Sequence, residues 1–140
     1  MILLDTNILS ESMRPQPDRA VERWLDAQPW ETLYSCTPVL AELRYGVERL
    51  ATGRRKTFLS EVVDRIENEI YRGRILSFDP VAAGHYGRLM VKREQQGRRL
   101  EQMDGLIAAI ALTHGAIVAT RDARDFADLG FDVINPFDLR

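Results

Sequence analysis

Four acidic residues in this chain stand where carboxylate chemistry could be done. Asp5 closes the apolar segment Met1-Ile-Leu-Leu4, and Asp122 follows Ile117-Val-Ala119-Thr-Arg121. Asp104 precedes the apolar run Leu106–Leu112, and Glu42 lies within Ala41-Glu-Leu-Arg-Tyr-Gly46. If the two apolar segments are adjacent parallel strands, Asp5 and Asp122 reach the same sheet edge. On a helical wheel Glu42 falls at the margin of the arc Val39, Leu43, Val47 and Leu50, beside Gly46, which leaves open space. Carboxylates gathered in one pocket repel, and at least one is expected to stay protonated unless a cation offsets the charge. Oxygen ligands alone suit Mg²⁺ or Mn²⁺, whereas two scattered His and the single Cys36 make no zinc site.

Each residue also has a plainer reading. Asp5 and Asp104 could be helix N-caps only, and Asp122 could cap a short helix over 123–128. Glu42 could be an ordinary solvated or salt-bridged helix residue. Asp125, a further candidate, could simply face the dipole of that short helix.

The elements that must position these groups alternate along the chain. Short apolar segments at Met1–Leu4, Leu33–Cys36, Arg74–Phe78, Ala116–Ala119 and Phe131–Ile134 read as strands. Between them lie helical stretches: one after Pro17 with Ala20, Val21, Trp24 and Leu25 on a face, and one opened by Thr37 as N-cap and Pro38 as the first helical residue. A Gly53–Lys56 loop leads to a third, with Phe58, Leu59, Val62, Val63, Ile66 and Ile70 at helical spacing. Asp79-Pro80 is a cap-then-proline start for a helix to about Gln96. Asp104 to His114 is apolar on all sides, hence buried, and Gly115 ends it. Strands separated by helices imply right-handed crossovers and a three-layer α/β/α domain with a short, mostly parallel five-stranded sheet. The ligand crevice of such a sheet lies beyond the carboxyl ends of its strands. The whole chain, 1–140, reads as one domain, since 140 residues leave no room for two cores.

Composition narrows the class. Hydrophobic residues are 45% and charged residues 29%, the balance of a folded domain. A lone Cys excludes an internal disulfide and favours a reducing cytoplasm. The longest apolar run is too short to span a bilayer, and Met1–Asp5 has no secretion signal pattern. The formal net charge of −2 argues against a protein that grips nucleic acid by bulk positive charge. Setting the four candidate ligands aside, however, takes 21 acids to 17 against 19 bases, a surplus of +2.

Several pieces together resemble a PIN-domain ribonuclease of the VapC toxin type, in particular its FitB-like branch. They are Met1-Ile-Leu-Leu-Asp-Thr-Asn7, Arg14-Pro-Gln-Pro17, Ala41–Gly46, Gly73-Arg-Ile-Leu76, Asp104-Gly-Leu-Ile-Ala-Ala109, Ala119-Thr-Arg-Asp122 and Asn135-Pro136. The resemblance implies a PIN fold and metal-dependent RNA hydrolysis by an acidic quartet, here Asp5, Glu42, Asp104 and Asp122, with Mg²⁺ or Mn²⁺. Many relatives carry Asn at the position of Asp122 and an acid three residues later, which makes Asp125 the competing fourth member. Asn7 and Thr120 match supporting hydrogen-bonding positions, although strand-end turn chemistry explains them as well. The implied partners are RNA and a small antitoxin, VapB- or FitA-like and of ribbon-helix-helix type. Operator DNA would be reached only through that antitoxin. A toxin homodimer or higher assembly is also implied, and no membrane.

RNA needs positive surface. From 88 to 99 five basic residues (Arg88, Lys92, Arg93, Arg98 and Arg99) face one acid, Glu94. A solvated helix face is the common meaning of such a cluster; Arg98 and Arg99, near Asp104, are the RNA-contact candidates. His85 and His114 have no partner motif, and Trp24 and Trp30 read as packing residues. Two other classes compete. A haloacid-dehalogenase-type phosphatase would need a second acid two residues after Asp5, where Asn7 stands. A non-catalytic PIN scaffold in a DNA-binding repressor complex would have no use for the full acid set.

Overall fold

The computed structural model describes residues 1–139; Arg140, the last residue of the expected domain, lies outside the described residues. Five strands, β1 (Ile2–Leu4), β2 (Leu33–Cys36), β3 (Ile75–Leu76), β4 (Ile117–Ala119) and β5 (Val133–Ile134), form one sheet in the order β3-β2-β1-β4-β5. Every pairing is parallel, with Ile2 opposite both Leu33 and Ile117, and Leu4 opposite Ala119. Leu3 and Leu4 point to opposite faces of β1, yet both are fully buried. Both faces are therefore covered, as a parallel sheet requires. The chain leaves β1 to one side for β2 and β3, and to the other for β4 and β5. The crevice between β1 and β4 is thus the topological switch point, where α/β sheets bind ligands.

Among the described residues six α-helices cover the sheet: α1 (Thr6–Ser12), α2 (Arg19–Ala27), α3 (Thr37–Glu48), α4 (Arg54–Arg65, continued by a π-spaced turn over Ile66–Ile70), α5 (Pro80–Gln95) and α6 (Gln102–His114). Two expected boundaries hold in chemical detail. The Asp79 carboxylate accepts from the Ala82 N–H at 2.9 Å, and Gly115 closes α6 in the left-handed conformation at φ 60°. Helix α6 is buried as its all-round apolarity predicts, with Ile107 to Ala111 inaccessible.

Other boundaries differ from the sequence reading, each for a local reason. Helix α1 has no counterpart there: Thr, Asn and Ser are weak helix formers, and its seven residues hold through the Asp5 cap and burial of Ile8 and Leu9. Thr37 is the first helical residue rather than the cap, a position Cys36 takes without a side-chain bond. The Gly53–Lys56 loop is mostly helix, since Arg54 begins α4. Phe58 on that helix remains 56% exposed rather than buried. The stretch 123–128 is a run of turns, not a helix; Phe126 pins it to the core, and Asp128 at φ 61° and Gly130 at φ 98° break the helical path.

Helices α5 and α6 pack so closely at Gly105 that an added Cβ would stand 2.8 Å from the Met90 sulfur and 2.9 Å from the Tyr86 ring. Gly105→Ala gains helix propensity but overfills this contact. We expect a net loss of about 1–2 kcal/mol in a urea melt.

Candidate active site

At the switch point β1 hands directly into α1. The Asp5 N–H makes a last strand bond to the Ala119 carbonyl at 3.0 Å, and its side chain turns to cap the helix. Oδ1 accepts from the Thr6 N–H at 2.7 Å, and Oδ2 accepts from the Thr120 hydroxyl at 2.7 Å. Thr120, fully buried just past β4, also accepts the Asp122 N–H at 3.0 Å. Asn7, two residues into α1, completes the lacing. Its amide nitrogen lies 3.1 Å from Asp122 Oδ2 and 3.3 Å from both Asp5 Oδ2 and Thr120 Oγ1, while its oxygen accepts the Arg121 N–H at 3.0 Å. The Asp-Thr-Asn and Thr-Arg-Asp segments are therefore one hydrogen-bonded unit joining two strand ends.

Glu42, one turn and a half into α3, receives the Thr6 hydroxyl on Oε1 at 2.5 Å. Thr6 thus ties two acids together, to Asp5 through its backbone and to Glu42 through its side chain. A groove of about 620 Å³ opens beside Glu42, lined by Thr6, Gly46, Arg55 and Phe58 among others. No atom lies within 4 Å of where a Gly46 Cβ would be, so the open space expected beside Glu42 is present.

Asp104 lies in the first turn of α6 and is half-buried. Since Glu101 occupies the cap position, Asp104 is not an N-cap, and capping does not account for it. Its carboxyl is pushed up to about 7, first by burial and then by the charges of Asp5, Asp125, Glu42 and Asp122. Asp5 is raised too, by burial above all, against the bonds from Thr120 and Thr6 that favour its charge. The crowding expected from the sequence thus falls mainly on Asp104. Cys36 beneath the site is no nucleophile, as burial lifts its thiol to about 12.

The arrangement suits a hard, hydrated cation. All donors are oxygens, and the charge conflict at Asp104 is of the kind a divalent ion removes. Among the described residues no three His, Cys, Asp or Glu side chains form a complete cage. Mg²⁺ does not need one, because it usually keeps several waters and binds through one or two carboxylates.

The outer candidates are placed differently. Asp122 and Asp125 are exposed, and Asp125 sits on the turn run rather than in a helix dipole. Arg98 is turned onto that run, donating to the Arg124 carbonyl at 3.3 Å, while Arg99 is exposed just before α6. Arg93, counted from sequence among the surface bases, is only 3% exposed. It donates to the Asp125 and Ala127 carbonyls at 2.8 and 2.9 Å and so fixes the run that carries Asp125. Its spacing from Ala82, Tyr86 and Leu89 on one helical face was the available signal. Thr6, Glu11 and Arg121 also escaped the sequence reading, because they gain their meaning from α1.

The PIN domain family model matches residues 2–132. A curated relative, the VapC ribonuclease Y4jK of Sinorhizobium fredii, is 43% identical over 99% of both chains. Toxin FitB of Neisseria gonorrhoeae is 40% identical over 98% of this chain and 99% of that one. A solved structure of FitAB bound to a DNA fragment superposes with a TM-score of 0.93 at 39% identity, covering 100% of this chain and 98% of that chain. With the family model, the fold and these relatives in agreement, the chain belongs to the PIN-domain family, in its VapC/FitB ribonuclease-toxin group.

Proposed function

We propose that this protein is the toxin of a toxin–antitoxin pair and acts as a metal-dependent endoribonuclease. The observation that supports this most is the convergence of Asp5, Glu42 and Asp122, held together by Thr6, Asn7 and Thr120 at the sheet's switch point, with the half-buried Asp104 crowded by their charges. Asp5, Asp104, Glu42 and Asp122 would hold Mg²⁺ or Mn²⁺, with Asp125 the competing fourth ligand. The bound ion supplies water activation and offsets charge on the leaving oxygen.

The remaining work belongs to the chain. Thr6 and Thr120 fix the two oxygens of Asp5, Thr6 orients Glu42, and Asn7 keeps Asp122 beside them. Such supporting partners set how precisely the carboxylates are presented. Neither imidazole is assigned to proton transfer: His85 contacts the Arg88 guanidinium, and His114 is exposed at the end of α6. Hydrolysis by this route does not use the ribose 2′-OH and leaves 5′-phosphate and 3′-hydroxyl ends. Arg98 and Arg99 offer outer contacts to the RNA strand. We take the partner to be a FitA- or VapB-like antitoxin of ribbon-helix-helix type, through which operator DNA is reached, with the toxin self-associating in the cytoplasm.

The test is cleavage of single-stranded and transfer RNA by the purified chain. Cleavage with Mg²⁺ or Mn²⁺ should disappear in EDTA and return when metal is restored. Cleavage that persists in EDTA would overturn the metal-dependent reading.

A further inference from the structure

On α1, one turn beyond Asn7, stands a carboxylate that the acid cluster does not use. Glu11 is only 5% exposed, and its partners are cations and one backbone amide. Arg14 Nη1 donates to both oxygens, at 3.2 and 3.3 Å, and the Asp18 N–H bonds Oε2 at 2.9 Å. A second guanidinium closes on the same group, with Arg121 Nη2 3.5 Å from Oε1. Successive turns of α1 thus hold Arg121 twice: Asn7 takes its backbone N–H and Glu11 its side chain. The Arg121 guanidinium also stacks on Phe137, 3.8 Å from the ring centroid.

One arginine would neutralise Glu11; two leave a local surplus of +1 at the rim of a strongly acidic site. Both arginines remain accessible to solvent, with 64% of the Arg14 side chain and 53% of the Arg121 side chain exposed. Arg14 lines the groove that Glu42 borders, and Arg121 lines the recess that Asp122 and Asp125 border. A planar fork already oriented by a carboxylate and an aromatic ring is well suited to a phosphodiester oxygen pair.

We propose that Arg14 and Arg121, set in place by Glu11, contact the RNA backbone phosphates on the Glu42 side and the Asp122 side of the cleaved bond. Glu11 is the positioning residue of this clamp. The proposal rests on the ribonuclease reading, and its test separates the two.

Binding of a short fluorescein-labelled single-stranded RNA is followed by anisotropy in EDTA at several KCl concentrations, and cleavage is followed in Mg²⁺. Arg14→Ala and Arg121→Ala should each weaken binding roughly fivefold and lower the salt slope by about 0.7, the value for one single-strand phosphate contact. In cleavage KM should rise with kcat held within about twofold. Arg72→Ala, at the opposite sheet edge, should change neither. Glu11→Gln decides the positioning role. Removing a negative charge should by itself tighten RNA binding, whereas a lost clamp should weaken it by roughly threefold or more. Unchanged salt slopes in the arginine variants, or tighter binding by Glu11→Gln, would overturn the clamp while leaving metal-dependent cleavage intact. No cleavage by the parent with reduced slopes in the variants would overturn the ribonuclease reading, and with it the placement of the clamp about a cleaved bond, and leave Arg14 and Arg121 as RNA contacts only.

Discussion

Asp5→Asn is expected to lower RNA cleavage by on the order of 10³-fold while leaving the fold intact. The two effects separate because Asp5 has two jobs. As a helix cap it needs one oxygen, which accepts the Thr6 N–H, and Asn keeps that oxygen. As a metal ligand it needs an anion whose second oxygen is presented by Thr120, and Asn places an NH₂ there instead. The stability cost is small for a further reason. Burial and the charges of Glu42 and Asp122 disfavour ionised Asp5, so removing its charge relieves repulsion in the metal-free protein. Thermal melts in EDTA should place Asp5→Asn within about 1 kcal/mol of the parent, while Asp5→Ala falls by about a further 1 kcal/mol through loss of the cap. Cleavage by Asp5→Asn at the parent's rate would remove Asp5 from the metal site.

What the sequence makes legible and what it hides divide along physical lines. The parallel sheet and the placement of Asp5 beside Asp122 follow from runs buried on both faces and from helices standing between successive strands as far as β4, whereas the strand order itself is set by tertiary pairing. Cap chemistry was equally legible at Asp79 and Gly115, where one side chain or one glycine settles the boundary. What did not show was structure held by tertiary contact. Helix α1 is seven residues of weak formers, and it exists because Ile8 and Leu9 are buried and Asp5 caps it. Without α1 the sequence cannot reveal that Thr6 reaches Glu42 or that Glu11 gathers two arginines. The same limit affected charge. Arg93 counts as one more base in a basic stretch, yet its guanidinium is spent on the carbonyls of the turn run. Likewise the net charge of −2 says little about the surface offered to RNA, because acids crowd one crevice while Arg14 and Arg121 stand at its rim.

Asp104 should set the pH dependence, and with a sign opposite to that of a salt-bridged aspartate. Its carboxyl titrates at about 7 in the folded protein against an ordinary value of 3.8. Between those values the metal-free folded chain holds a proton that the unfolded chain has released. The folded state binds more protons there, so stability is fully present below about 3.8 and falls as pH rises toward about 7. Asp104→Asn abolishes this dependence. In EDTA near pH 8 the variant should be more stable than the parent by about 1–2 kcal/mol, the full shift being reduced because the side chain is only partly buried and water screens the repulsion. Near pH 4, where the parent is mostly protonated as well, the two should converge. Urea melts at both values check the sign, and a variant less stable than the parent near pH 8 would mean that the carboxyl is not crowded. Metal binding must displace the same proton. The Mg²⁺ or Mn²⁺ concentration for half-maximal cleavage by the parent should therefore rise up to about tenfold per pH unit below about 7. Added metal should restore the rate at low pH, which acid unfolding would not allow, and Asp104→Asn should stay inactive at every pH and metal concentration.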